Sequence, residues 1–548
     1  MTGPATAHLD TFARDHLPPA GQWPVLEFTT ELLRYPERLN AAVELIDRPT
    51  EEHGPDRPAL RTPEGEVWSY GELRLRSDQV AQVLTEDLGL VPGNRVLLRS
   101  PNNPWAVAAW LGVLKAGGIV VSTMAALRAR ELGPIVAKTR PVVALVDHRY
   151  LDEVLALRAS AAPELIVLAH GGDGADDLSR RAGAKSGRYT AVDTAAEDVA
   201  LFGPTSGTTG VPKVTVHFHR DLLSIDNTFG RCTLRLRPDD LVSCTAPFAF
   251  TFGLGMLVVF TLRAGACAFL TEATTPVQLA GLVAEHGVTV LATAPTAYQQ
   301  IVKSGGVQQL SGLRRAVSAG EHIPQGLWEQ LRAELGIEVI DGIGATELLH
   351  IFISAAGAEI RPGSTGRPVP GYRATVLGPD GTEAGPGVPG RLGVIGPVGC
   401  RYLDDERQAD YVVNGWNVTG DTFLRDEDGY FWYQARSDDM IVSSGYNIAG
   451  PEVEAAIATH PDVTETAVVA APDAERGSVV CAFVVLREGV AGDAAKVKEL
   501  QDHVKGLLAP YKYPREVRFT DALPRNPSGK LQHFKLRQLV ADRTGDEA

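Results

Sequence analysis

The chain has 548 residues, 44% of them hydrophobic, which is too long for a single core and too apolar for a disordered polymer. Acidic residues outnumber basic ones by 67 to 52, and the net charge of -15 opposes sequence-independent binding to nucleic acid or to an anionic membrane. An anionic ligand therefore needs a local cluster of donors.

The opening MTGPATAHLDTFARDHLPP has charges and prolines where a secretion signal requires an unbroken apolar run. The five cysteines, Cys232, Cys244, Cys267, Cys400 and Cys481, are odd in number and too scattered for a metal clip, so a reduced, cytoplasmic setting is expected. The apolar stretches at 105–127 and 250–270 contain Lys115, Arg263 and several glycines, and they predict buried helix and strand pieces rather than membrane spans.

In chain order, EVWSY predicts a strand, residues 71–88 an amphipathic helix, NRVLLRS a strand, residues 104–115 a helix and GGIVVS a strand. The alternation returns in VTVLATAP followed by TAYQQIV, in LRRAVSAGE followed by a helix, and in IEVIDGIGATE followed by ELLHIF. Ligands of such sheets gather at the carboxyl ends of strands, where SAGE at 318–321 and DGIGATE at 341–347 aim two loops at one site. Short strands and Gly, Pro and Asp turns make residues 365–437 a β-rich subdomain, and a helix-strand pattern resumes beyond it. The expected fold class is α/β, with a large N-terminal domain of covered mixed and parallel sheets (1–437) and a small α+β C-terminal domain (438–548).

TSGTTGVPK at 205–213 lies between VALF and the alternating VTVHFH, so it reads as a hairpin connection. It is not a Walker loop, because Gly207 and Gly210 are too close together and Pro212 precedes the lysine. It still offers what a triphosphate requires: glycines that admit backbone N–H groups, the hydroxyls of Thr205, Ser206, Thr208 and Thr209, and the cation of Lys213. Read alone, the string admits a phosphate loop or a plain Ser/Thr/Gly turn. His217 and His219 on the following strand would share one face, but with no third ligand nearby they read as packed side chains rather than a metal site.

The nine-residue string resembles the phosphate loop of the adenylate-forming superfamily, which includes acyl-CoA ligases, luciferases and peptide synthetase adenylation domains, and further motifs follow in that family's order. Gly344, Ala345, Thr346 and Glu347 match its Gly-x-Thr-Glu turn, whose glutamate holds magnesium. Ile343 stands where an aromatic residue is usual, as in the branch that activates benzoate-like acids. TGD at 419–421 resembles the ribose-binding turn, and ARSDDMIVSSGYNIAGPEVE the crossover segment, with Arg436 on the ribose and Asp438 as hinge. PRNPSGK places Lys530 where the family's lysine bridges the substrate carboxylate and the α-phosphate. The resemblance implies catalytic roles for Lys530, Glu347 and Thr346. It also implies adenine and ribose contacts from Ala319, Gly320, Glu321, Asp341, Gly342, Ile343, Asp421 and Arg436. A mobile C-terminal domain would bring Ser444 and Gly445 to the pantetheine channel.

PFAFTFGLGM at 247–256 resembles the family's acyl-pocket region, and Thr251, Phe252 and Gly253, with Ala319, Gly344 and His350, are the expected pocket. His350 lies three residues after Glu347, one helical turn on, so both are expected to face one site. No aspartate stands between Phe248 and Phe252 to pair an α-ammonium group, which disfavours an α-amino acid. GATELLHIF and GRPVPGY resemble benzoate-CoA and 2-aminobenzoate-CoA ligases. The implied activity is ATP-dependent conversion of a small aryl acid, of benzoate, anthranilate, hydroxyanthranilate or salicylate type, to acyl-AMP and then to a coenzyme A thioester. ATP, Mg²⁺ and coenzyme A are the implied cofactors, and a monomer or homodimer is expected. One rival is an enzyme that loads an acyl or aryl carrier protein. A remoter one is a non-catalytic nucleotide-binding protein on the same fold, against which the presence of Lys213, Glu347, Asp421, Asp438 and Lys530 argues.

Overall fold

Apolar runs without alternation, such as those of Arg95–Arg99, Ile119–Thr123 and Val143–Asp147, are buried along their whole length, as parallel strands covered on both faces must be. They belong to a computed structural model that describes residues 6–205, 212–272, 274–436, 440–443, 446–473, 476–508, 512–525 and 531–546. Contacts divide the chain into two compact units, Met1–Ala374 with Val394–Asn417, and Thr375–Gly393 with Val418–Ala548. Asp438, the expected hinge, lies outside the described residues, as do residues 437 and 439.

The first unit holds two large sheets. One has six strands in the order Ile166–His170, Val143–Asp147, Arg95–Arg99, Ile119–Thr123, Val199–Thr205 and Lys213–Phe218. All its neighbours are parallel except the last pair, which is antiparallel with Thr205 opposite Lys213. The hairpin expected from VALF and VTVHFH is therefore formed, and its connection is the Ser/Thr/Gly string. The covering helix Pro104–Lys115 starts where Asn103 accepts a hydrogen bond from the Ala106 N–H and Pro104 occupies the first turn. At its other end the buried Lys115 ammonium is held by Asp47 at 2.6 Å and Asp78 at 2.5 Å.

The second sheet has nine strands in the order Arg367–Pro368, Ile351–Ser354, Val339–Gly344, Arg315–Ala319, Val290–Thr293, Leu241–Cys244, Cys267–Phe269, Pro58–Arg61 and Val67–Ser69. Its register sets Ser318 beside Asp341 and Ala319 beside Gly342 at the carboxyl ends of parallel neighbours. The two loops expected to share a site are thus adjacent.

One expected element is corrected. ELLHIF is not a helix: a single 3-10 turn, Thr346–Leu348, is followed by Leu349 at φ 67° and by the strand Ile351–Ser354, antiparallel to Val339–Gly344. The β-branched and aromatic run Ile351, Phe352, Ile353 is fully buried as a sheet strand, which outweighs local helix preference. The return is tight because Gly344 has no side chain: a Cβ there would lie 2.8 Å from the His350 carbonyl oxygen. The strand bearing His217 likewise stops at Phe218, and His219 opens the helix His219–Ile225, so the two imidazoles do not share a strand face.

In the second unit, residues 421–425 of the strand Trp416–Arg425 pair antiparallel with Phe431–Arg436. Beyond them come the helix Gly450–Ala458 and a sheet of Val463–Asp473, Gly477–Leu486 and Glu516–Phe519, with a core that includes Ile448, Val453, Val468 and Leu500. The helix followed by strands is the helix-strand pattern expected beyond residue 437. Among the described residues no helix is long and apolar enough to cross a membrane. The α/β class is as expected.

Candidate active site

Three side chains from distant parts of the first unit meet at the mouth of the hairpin. The Lys213 ammonium lies 3.2 Å from the Tyr402 hydroxyl and 4.8 Å from the centre of its ring. The same hydroxyl donates to Glu347 Oε1 at 2.5 Å. Burial and the neighbouring Glu347 carboxylate push the Tyr402 hydroxyl far above its usual range, so it keeps its proton. Among the described residues no donor reaches the second oxygen of Glu347, and this side chain is only half-buried. An oxygen donor with one lobe uncommitted, beside a lysine and a Ser/Thr-rich loop, suits a hard divalent cation bound with phosphates.

At the neighbouring strand ends, Ala319 is buried and Gly320 turns the chain at φ 89°. Glu321 accepts a hydrogen bond from Thr296. Gly342 and Ile343 continue the adjacent strand, while the side chain of Asp341 enters a small cavity lined by Trp328, Ile360, Arg361, Ser364 and Thr365. Burial pushes the Asp341 carboxyl up to about 8, and its Oδ1 has no hydrogen-bond partner among the described residues.

His350 lies in an aromatic box. Its ring centre is 4.6 Å from Phe260, 5.4 Å from Phe229 and 5.6 Å from Phe252, and its Nε2 lies 3.4 Å from the Phe252 carbonyl oxygen. Burial pulls its pKa down to about 3, so the imidazole is neutral, with Nε2–H directed at that carbonyl. Nδ1 is then a buried acceptor with no donor among the described residues. Thr251 and Phe252 open the short helix Thr251–Leu254 beside the box. Gly253 leaves room for backbone rather than for a ligand, since a Cβ there would lie 2.4 Å from the Pro247 carbonyl oxygen.

The AMP-binding enzyme profile matches residues 47–401, and the profile of the AMP-binding enzyme C-terminal domain matches residues 452–530. The chain belongs to the AMP-binding enzyme family. Among AMP-binding relatives, the benzoate–CoA ligase of Thauera aromatica is 34% identical over 523 residues, which cover 93% of this chain and 98% of that one. The crystal structure of AuaEII, an anthranilate CoA ligase in complex with anthranoyl-AMP, superposes with a TM-score of 0.88 at 29% identity, over 94% of this chain and 100% of that chain. A benzoate CoA ligase from Burkholderia xenovorans LB400 gives 0.82 at 30% identity, over 91% and 100%.

Of the residues that the AMP-binding motifs single out, the fold brings Thr205, Lys213, Thr346 and Glu347 to one end of the hairpin. Asp421 stands directly opposite Arg436 on paired strands of the second unit, and TGD lies within a strand with Gly420 at φ 77° rather than in a free turn. Ser206, Gly207, Thr208, Thr209, Gly210, Asp438, Ser444, Gly445 and Lys530 lie outside the described residues. His217 and His219 are buried, each pulled down to about 3 by desolvation, and the described residues supply no metal set there. Tyr402 and the Phe229–Phe260 part of the box carry no local signature: both follow from pairings of segments far apart in the chain.

Proposed function

We propose that the protein is an ATP-dependent ligase that converts a small aryl carboxylic acid to its acyl adenylate, with release of pyrophosphate, and then to a coenzyme A thioester. The observation that carries this reading is the short segment from Thr346 to His350, which presents Glu347 to Lys213 at one end and seats His350 in an aromatic box at the other. Glu347 and the aromatic box around His350 are thereby only a few residues apart in the chain.

A carboxylate resists attack by a thiol, so it must first become a mixed anhydride. The acid's oxygen attacks the α-phosphorus of ATP, and the bond to the β-phosphate oxygen breaks with release of pyrophosphate. Lys213 and the hydroxyls of Thr205, Ser206, Thr208 and Thr209 hold the departing pyrophosphate, and Lys530 offsets the charge between the acid's carboxylate and the α-phosphate. Glu347 would hold Mg²⁺, which would supply further neutralisation of phosphate charge. Asp421 and Arg436 take the ribose, and Ala319 to Glu321 with Gly342 and Ile343 line the base. The thiol of coenzyme A then attacks the acyl carbon and AMP leaves. That step needs Lys530 out of the way and the pantetheine arm beside Ser444 and Gly445, which a C-terminal domain pivoting at Asp438 provides. A reduced, cytoplasmic setting suits both the thiol acceptor and the unpaired cysteines.

His350 sharpens the choice of acid. Were the bound acid to open the box, the buried Nδ1 of the neutral imidazole would accept from a ring amino or hydroxyl group, which favours anthranilate- and salicylate-type acids over benzoate. Pyrophosphate release measured with benzoate, salicylate, anthranilate, hydroxyanthranilate, hexanoate and phenylalanine tests the reading, followed by the mass of the product formed with coenzyme A. Turnover confined to the aryl acids, with an aryl-CoA product, is expected. Preference for hexanoate or phenylalanine would refute the pocket, and a thioester formed only on a carrier protein would reassign the acceptor.

A further inference from the structure

We infer that Tyr402 is a positioning residue for nucleotide binding: its hydroxyl holds the Glu347 carboxylate and the Lys213 ammonium apart and aimed at the Mg²⁺·ATP they receive. A phenol has one proton to donate and lone pairs to accept with. Here the proton goes to Glu347 Oε1 at 2.5 Å, and a lone pair faces Lys213 Nζ at 3.2 Å. With the hydroxyl between them, the two opposite charges are bridged. Without it they can close on each other, and an ion pair of that kind hides both groups from the ligand.

The tyrosine is built to hold this position. Its ring is fully buried and packs edge-on to Tyr411 at 5.7 Å. Its N–H donates to Gln408 Oε1 at 2.8 Å, and Gln408 is itself tied to the Cys400 carbonyl at 3.1 Å. On either side, the Val216 N–H donates to the Arg401 carbonyl at 2.8 Å and the Leu403 N–H to the Val214 carbonyl at 2.9 Å. The segment bearing Tyr402 is thus hydrogen-bonded along the strand Lys213–Phe218, whose first residue is Lys213. Hydrogen bonds that fix a metal-binding carboxylate from behind set its orientation and basicity.

This inference rests on the reading of Glu347 as the magnesium carboxylate and Lys213 as the phosphate lysine. Tyr402→Phe removes the hydroxyl while keeping the ring under Lys213 and against Tyr411. Calorimetric titration of the full chain with a non-hydrolysable ATP analogue, with and without Mg²⁺, is compared for wild type, Tyr402→Phe and Glu347→Gln. The expected result is that Mg²⁺ strengthens analogue binding to wild type, that Glu347→Gln loses this gain, and that Tyr402→Phe loses about tenfold of it or more. KM for the aryl acid and the melting temperature of the nucleotide-free Tyr402→Phe protein should stay unchanged. A wild-type Mg²⁺ gain in Tyr402→Phe, with Glu347→Gln impaired, overturns the role of Tyr402 alone. Retention of the gain in Glu347→Gln overturns the metal reading and this inference with it. An equal loss with and without Mg²⁺, together with a lower melting temperature, marks Tyr402 as packing and also overturns it.

Discussion

At the scale of single residues, the box around His350 makes a prediction that no motif supplies. A Cβ on Gly255 would lie 2.3 Å from His350 Cδ2 and 2.5 Å from Nε2, and Phe229, Phe252 and Phe260 leave the imidazole nowhere to move. Gly255→Ala should therefore displace His350 and lower kcat/KM for the aryl acid by about tenfold or more, the cost of about 1.4 kcal/mol of lost complementarity, with KM for ATP unchanged. Steady-state kinetics against each substrate in turn check this, and an equal rise in both KM values would contradict it. Lys213 and Glu347, proposed for phosphate and magnesium, are legible because such chemistry confines residues to short strings. Gly255 falls in the expected acyl-pocket string, but its contact with His350 is not legible, nor is Tyr402, because the partners come from elsewhere in the chain: His350 for one, Lys213 and Glu347 for the other.

At the scale of elements, the hairpin of Val199–Thr205 and Lys213–Phe218 is legible from alternation and its Gly-rich link, and the helix Pro104–Lys115 from Asn103 and Pro104 at its start. ELLHIF misleads because its six residues carry both a helical and a strand reading, and only the open edge of the sheet next to Val339–Gly344 decides between them. The same strand carries Asp341, whose folded pKa of about 8 lies above the 3.8 of an unfolded aspartate. Between about pH 4 and pH 8 the folded protein keeps a proton that the unfolded chain has lost. Stability from this group is thus fully present at low pH and falls as pH rises, levelling off above about 8. Urea unfolding of the nucleotide-free protein should show Asp341→Asn gaining on wild type across that window, at up to about 1.4 kcal/mol per pH unit. Parallel profiles for the two proteins would show that the carboxyl is not held protonated.

At the scale of the whole molecule, the order of motifs from Thr205 to Lys530 made the family and the α/β class legible, since independent signals agreed. The proposed preference among acids was less legible, because it depends on how distant segments enclose His350. The proposed division of labour puts adenylation on Lys530 and thioester formation on a C-terminal domain turned away from it. Lys530→Ala should then abolish acid-dependent pyrophosphate release, a loss of about 10²-fold or more, yet leave coenzyme A attack on a preformed aryl adenylate largely intact. Equal loss of the two half-reactions would rule out that division.

The most direct measurement is a single turnover with enzyme in excess over radiolabelled anthranilate, with ATP and Mg²⁺ present and coenzyme A withheld and then added. The account predicts that anthraniloyl-AMP accumulates on the enzyme with one equivalent of pyrophosphate, and that coenzyme A converts it to anthraniloyl-CoA and AMP. Absence of the adenylate with anthranilate and equally with benzoate and salicylate, or formation of ADP and phosphate instead of AMP and pyrophosphate, would contradict it.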